Sequence, residues 1–275
     1  MQFLSRTLMF RNSARLETPI FAPPERRVIQ RLAPFLTVLL ILIAWQLVST
    51  LALVPDFLIP APLTVFDQFV EVIADGRLAE HTLVTLGEVV SGLIVGVLVG
   101  VTLGYLIARL PLLEDLLSPL IVSLQSTPVV AYAPLLVIWF GSGPTGKMIT
   151  SALIVFFPML MNTVVGIRSV PRNLRDLMLV ARASRWQTLT RLEIPAALPI
   201  LLTGLKTAAT LSVVGAVVGE YINASAGLGF MINQARSQFD TPLVFVGMIT
   251  LSVMARLLYS TVALLERRLL AWKQF

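Results

Sequence analysis

Apolar residues dominate six long stretches of the chain, at about 33–53, 84–107, 118–140, 146–167, 197–219 and 243–265. Each is close to the roughly 20 residues that a helix needs to cross a hydrocarbon core of about 30 Å. The pattern predicts an all-α fold, a polytopic membrane helical bundle of about six transmembrane helices. It divides the chain into an N-terminal segment 1–32, a membrane domain 33–265 and a tail 266–275. Between the first two stretches, LIPAPLTVFDQFVEVIADG sets Val65, Phe66, Phe69, Val70 and Ile73 at helical spacing after Pro60 and Pro62. A short amphipathic helix on the outer surface is expected there. The third stretch carries Pro119, Pro128 and Pro134, each removing a backbone donor, so this span is expected to be kinked or interrupted. Irregular backbone at that depth either lines a path or packs within protein, and the sequence leaves both open. In the second stretch Gly92, Gly96, Gly100 and Gly104 fall four apart, a ridge suited to close helix contact. No repeat of fixed period and no inverted similarity between halves is visible, unlike the halves common in secondary transporters.

Composition strengthens the membrane reading. With 56% hydrophobic and 13% charged residues, the chain departs from the roughly 45–50% apolar and about 25% charged content of soluble domains. Cysteine is absent and His81 is the single histidine, which excludes a disulfide framework, a thiolate metal site and a Cys/His nucleophilic pair. Neither a metal site nor a catalytic residue is expected. The net charge of +6 does not point to nucleic acid as a partner, because the basic residues sit between apolar spans rather than among exposed aromatics. They follow topology instead. Arg6, Arg11, Arg15, Arg26, Arg27 and Arg31 precede the first span, and Arg168, Arg172, Arg175, Arg182, Arg185 and Arg191 lie between the fourth and fifth. With Arg109, Arg267, Arg268 and Lys273, one face holds 16 of the 21 Lys and Arg residues, while Arg77, Lys147 and Arg236 are assigned to the opposite loops. By the positive-inside rule the crowded face and both termini are cytoplasmic. The opening MQFLSRTLMFRNSAR has arginines on both sides of a short apolar patch and no cleavage signal, so it is expected to be retained.

The longest cytoplasmic loop, 168–196, reads RSVPRNLRDLMLVARASRWQTLTRLEIPA and is not plainly polar, since Leu174, Leu177, Met178 and Ala181 follow helical spacing between arginines. Pro171 suits a helix start, Asp176 favours its first turn, and Pro195 and Pro199 are expected to separate the loop from span five. An arginine-rich interfacial loop is also what the positive-inside rule alone produces. The pattern of Asp176, Ala183, Ser184, Arg185, Trp186, Pro195, Ala196, Ala197, Leu198 and Pro199 resembles the signature loop of binding-protein-dependent ABC importer permeases of the type I fold. GEYINASAGLGFMI after span five and the Pro60 and Pro62 segment extend the likeness from about span two to the C-terminus. By its overall pattern the chain looks closest to the branch importing nitrate, sulfonates, taurine, thiamine-pathway pyrimidines or riboflavin.

The resemblance implies a coupling helix that docks into a groove on a separate ATPase subunit, with Asp176, Arg182, Ala183, Ser184, Arg185, Trp186 and Pro195 as its coupling residues. Arg185 and its neighbours would contact acidic groups, and Trp186 would fill an apolar part of the groove. The sequence departs from the family pattern in having Asp176 for glutamate, Leu177 and Met178 for two alanines, and Arg182 for glycine. A left-handed arginine costs on the order of 1 kcal/mol, so a helical turn at Arg182 is the alternative. The implied partners are two ATPase copies, an extracytoplasmic solute-binding protein, a second permease chain as a homodimer, and the lipid bilayer of a bacterial inner membrane. ATP and Mg²⁺ are expected on the ATPase, with no cofactor on this chain. Gly227 and Gly229 would lie in the extracellular segment near the binding protein.

Other features carry less. GSGPTGKM, Gly141 to Met148, nearly spells a P-loop, but Met148 replaces the hydroxyl that holds Mg²⁺ and no strand precedes it, so a tight turn is expected. Glu88, Lys206 and Arg256 are charges at membrane depth. They either face the pathway or are accommodated structurally, Lys206 and Arg256 by snorkelling or pairing and Glu88 by hydration near the outer end. Gln125, Ser126, Tyr132, Asn162 and Glu220 are candidates for pathway lining or for interhelical hydrogen bonds. A flat aromatic vitamin or precursor, riboflavin or a pyrimidine, is the expected cargo ahead of sulfonate, taurine or nitrate. An ATP-independent channel or facilitator is the alternative class. An intramembrane enzyme lacks any Ser/His or paired-Asp set within the spans.

Overall fold

The computed structural model describes residues 24–51, 53–141 and 143–273, so most of the expected N-terminal segment 1–32 and the last two residues of the tail lie outside the described residues. The chain divides into two units, Met1–Leu53 and Val54–Phe275. The first contains α1 (Pro24–Thr50), whose apolar part, Phe35–Thr50, covers most of the expected first span.

The second unit is all helix and turn among the described residues. Helix α2 (Pro62–Ala74) is the expected amphipathic helix: Pro62 opens it where no intrahelical donor is needed, Val65 and Val72 are buried, and Phe66, Val70 and Ile73 are exposed. Gly76, at φ +82°, turns the chain into α3 (Arg77–Arg109). Then follow α4 (Pro111–Ser126), α5 (Val129–Phe140), α6 (Pro144–Arg168), α7 (Arg172–Val180), α8 (Arg185–Thr188), a π-turn (Leu189–Glu193), α9 (Ile194–Ile222), α10 (Leu228–Ser237) and α11 (Thr241–Leu269). Among the described residues, four continuous helical runs are long and apolar enough to cross a bilayer: α3, α6, Arg185–Ile222 and α11. The proline-bearing third span is interrupted, as expected: α4 and α5 meet at Thr127 and Pro128 and are bent by 101°.

Two expectations are corrected. Pro195 and Pro199 do not separate the cytoplasmic loop from span five, because Arg185–Ile222 is one helical run of 38 residues. The π-turn explains how. Ile194 N–H reaches back five residues to Leu189 O, and this wider register immediately precedes the missing donor of Pro195. The segment after span five is not only loop, since Gly227, at φ +115°, introduces the ten residues of α10.

The core is a glycine-lined stack. Gly92, Gly96, Gly100 and Gly104 are all buried along α3 against α6. A Cβ at Gly96 would lie 2.6 Å from Ala152 O, one at Gly100 2.8 Å from Phe156 O, and one at Gly104 2.7 Å from Leu160 O. The helices therefore meet backbone to backbone, which dispersion rewards where lipid supplies no hydrophobic drive. Helix α9 seats against α6 by the same device, next to α3. Gly204 lies under Asn162, Gly215 under Ser151 and Gly219 under Lys147, and Ser151 Oγ donates to Ser212 O at 3.0 Å. Val155, Met159 and Ala208 form the apolar centre of this stack.

Candidate coupling segment and buried polar groups

Helix α7 ends in a Schellman turn. Ala183 N–H donates to Met178 O at 2.9 Å and Arg182 N–H to Leu179 O at 3.0 Å, with Arg182 in the left-handed conformation at φ +50°. The helical alternative at this position is thereby excluded, and the arginine bears the local strain that a glycine would avoid. Immediately after it, Ser184 caps α8 in a reciprocal box: Gln187 N–H donates to Ser184 Oγ at 3.2 Å, and Ser184 N–H donates to Gln187 Oε1 at 2.8 Å. A helix stop followed at once by a capped helix start fixes the elbow.

The elbow is held to the bundle by charge. Arg109, the last residue of α3, pairs with Glu193 at 2.7 Å, and Glu193 is fully buried in the π-turn. Arg175 donates to Ile167 O, tying α7 to the end of α6, and Arg168 forms a two-point pair with Glu114 of α4. The outward face of the elbow has no such partners among the described residues. Trp186 is 70% exposed, Leu179 74% and Val180 82%, with Leu177 also exposed. Asp176, Arg182, Ser184 and Arg185 are exposed beside them, while Ala183 and Pro195 are half-buried. Six of the seven residues expected to couple thus cluster around one elbow, and Pro195 supports it from the start of α9.

At the opposite end of the spans lies a buried polar cluster. Lys147 Nζ is 3.0 Å from Glu88 Oε1, with side-chain exposures of 7% and 4%. Glu220, 1% exposed, interacts with both. Thr85 Oγ1 donates to Glu220 Oε1 at 2.7 Å and accepts Leu228 N–H at 2.7 Å, and Gly229 N–H donates to Glu220 Oε2. Gly227 N–H donates to His81 Nδ1 at 3.1 Å. The cluster fastens the Gly227–Gly229 turn to α3 and α9. It corrects two expectations: Glu88 is not hydrated, and Lys147 belongs to no outer loop but to α6. The lysine of the P-loop look-alike is therefore engaged with a carboxylate rather than available to a phosphate. Sequence reasoning missed this pairing because Glu88 and Lys147 are 59 positions apart and only the α3–α6 register joins them.

Of the candidate lining residues, Gln125 and Tyr132 share a cavity of about 370 Å³ at the α4–α5 break. Ser126 donates to Ser123 O at the same break. Asn162 donates to Pro158 O at 2.8 Å and Glu220 sits in the buried cluster, both in the hydrogen-bonding role. Lys206 pairs with Glu266 at 2.8 Å and Arg256 lies 5.7 Å from the Tyr259 ring centre, so both are accommodated by neighbours.

A small-residue stack of membrane helices, one broken span and a capped elbow between the long fourth and fifth spans define a permease of the ABC importer kind. Residues 92–271 match the family described as binding-protein-dependent transport system inner membrane component, and the chain belongs to that family. It is similar to the riboflavin transport system permease protein RibX of Chloroflexus aurantiacus, with 46% identity over 86% of this chain and 88% of that one. The formylaminopyrimidine transport permease protein ThiX of Halalkalibacterium halodurans is 32% identical over 90% and 99% of the two chains. The taurine transport system permease protein TauC of Escherichia coli is 32% identical over 86% and 88%. Among solved structures, the inward-facing MetNI methionine ABC transporter superposes with a TM-score of 0.56 at 18% identity, covering 68% of this chain and 91% of that one, a likeness of fold.

Proposed function

We propose that this permease imports a neutral aromatic vitamin or precursor, of the riboflavin or pyrimidine type, and that ATP hydrolysed on a separate ATPase drives it through the Arg172–Glu193 elbow. Two copies of the chain form a homodimer carrying two elbows for two ATPase subunits, and an extracytoplasmic binding protein delivers solute to the other face. Both termini and the elbow are cytoplasmic, at a bacterial inner membrane. ATP and Mg²⁺ belong to the ATPase, and this chain holds no cofactor. Closure of the ATPase pair on nucleotide draws the elbows together and biases the bundle from inward-open to outward-open.

The exposed elbow carries this reading. Trp186, Leu179 and Val180 offer apolar area beside Arg182 and Arg185, a combination of aromatic anchor and cationic rim typical of a docking tip. Its backbone is pre-shaped by the Schellman turn and the Ser184 cap, so little order has to be gained on docking. The preference for a vitamin over sulfonate or taurine rests on the higher identity to the riboflavin permease. In proteoliposomes holding the permease and its ATPase, Trp186→Ala with Arg185→Glu should release the ATPase on size-exclusion and abolish ATP-dependent uptake. Full retention of both would refute the docking role, and uptake proceeding without any ATPase would establish a facilitator instead.

A further inference from the structure

Three prolines, two on the broken span and one on α6, act on one place. Pro128, Pro134 and Pro158 have no N–H, so the carbonyls four residues before them, on Leu124, Val130 and Ile154, lose their helical amide donors. Leu124, Val130 and Ile154 all line the cavity of about 370 Å³ at the α4–α5 break. Thr127 N–H reaches Leu124 O at 3.3 Å, a weak replacement. Gln125 and Tyr132 add amide and phenol groups to the same wall, and the remainder is Thr127 and apolar side chains from α5, α6 and α9, including Phe157 and Val214. No lining residue is charged. The cavity lies halfway along α6 and against the second half of α9, where irregular backbone is tolerated only against protein or a solute path.

From this convergence we infer that the cavity is a mid-membrane transit site for a neutral planar ring bearing N–H or O–H donors, and that it disfavours anions. An apolar wall carrying the Gln125 amide, the Tyr132 phenol and the Thr127 hydroxyl can pair with ring N–H and hydroxyl donors while its aromatic and aliphatic side chains cover the ring. A sulfonate or nitrate would leave water for carbonyl oxygens with no cation to balance it, which is strongly unfavourable. Lys206 and Arg256, the mid-helix cations of α9 and α11, do not line the cavity and are engaged by Glu266 and Tyr259. The volume falls within the range of about 300–1,000 Å³ usual for small-molecule sites.

This inference rests on the proposed import function, and the test separates the two. Riboflavin and a formylaminopyrimidine serve as probes by equilibrium dialysis against the purified permease–ATPase complex without binding protein, alongside ATP-dependent uptake in complete proteoliposomes. At least one probe should bind the unaltered complex and resist displacement by a 100-fold excess of ethanesulfonate. Gln125→Leu with Tyr132→Phe should weaken that binding tenfold or more, and Gln125→Lys should shift the uptake ratio towards taurine by a similar factor. Displacement by ethanesulfonate, which needs no variant, would overturn the inference. So would uptake of either probe with no detectable binding, or binding indifferent to both substitutions in complexes that elute intact. Absence of ATP-dependent uptake for every solute would instead overturn the import reading on which the site depends.

Discussion

Replacing Lys147 with methionine should be among the most damaging single changes in the chain, and the reason is local electrostatics. The ammonium stands 3.0 Å from Glu88, both side chains are more than nine-tenths buried, and Glu220 adds a second carboxylate to the cluster. Methionine preserves most of the volume but leaves two carboxylates with no cation. Breaking a buried pair from one side costs about 3–5 kcal/mol. Glu220 retains Thr85 and the Gly229 amide, so the larger share falls on Glu88, whose oxygens have no well-aligned hydrogen bond. Glu88→Gln in the same chain removes the stranded charge, and the double variant should recover about half or more of the loss, a coupling on the order of 2 kcal/mol. Reversible unfolding of the detergent-solubilised chain in a denaturing-detergent titration, followed by far-UV circular dichroism, measures all three variants against the parent. A Lys147→Met loss below about 1 kcal/mol, or a double variant whose loss equals the sum of the singles, would refute the assignment of a coupled buried pair.

The α3–α6 seam gives a paired prediction: Gly96→Leu should destabilise the chain by about 1–3 kcal/mol or more because its Cβ meets the Ala152 carbonyl, whereas Gly87→Ala should be neutral or slightly favourable because nothing lies within 4 Å. The same titration distinguishes them. Arg182→Gly should relieve about 1 kcal/mol at the Schellman turn, slowing hydrogen exchange of the Ala183 amide roughly fivefold. Ser184→Ala should do the reverse at the Gln187 amide, by about 1 kcal/mol. Arg109→Ala strands the buried carboxylate of Glu193 and should cost about 3 kcal/mol or more, with Glu193→Gln in the same chain restoring part of it.

Span positions were readable from the sequence because a bilayer demands length and apolarity, and both are local properties. The interrupted third span was readable for the same reason, since Pro128 acts on its own helix. The glycine ridge of α3 announced a close contact, but its partner helix did not follow from spacing. Charges were harder. For Lys206 and Arg256 the sequence leaves a pathway role open beside snorkelling or pairing, and the structure sets them against Glu266 and the Tyr259 ring; Glu88 and Lys147 read as near water, because an ion pair across two helices depends on a register that no single segment encodes. The π-turn before Pro195 escaped for a related reason: proline reads as a break unless the preceding turn widens, and nothing in LTRLE signals that it will. At the elbow, arginine at 182 left two conformations open, and the choice was made by the carbonyls of Met178 and Leu179, which need the amides that a left-handed residue supplies.

The unbroken run from Arg185 to Ile222 has a mechanical consequence. At about 1.5 Å per residue its 38 residues form a rod close to 57 Å long, reaching from the Trp186 tip to the Glu220 cluster. A tilt of about 5° about one end carries the other by about 5 Å, the scale of one helical turn. Because Glu220 is bolted to the Gly229 turn and Glu193 to α3, such a tilt cannot be absorbed quietly at either end. The rod is therefore tied to α3 near both ends, through Glu193–Arg109 and Glu220–Thr85, with α5 of the bent pair packed beside it.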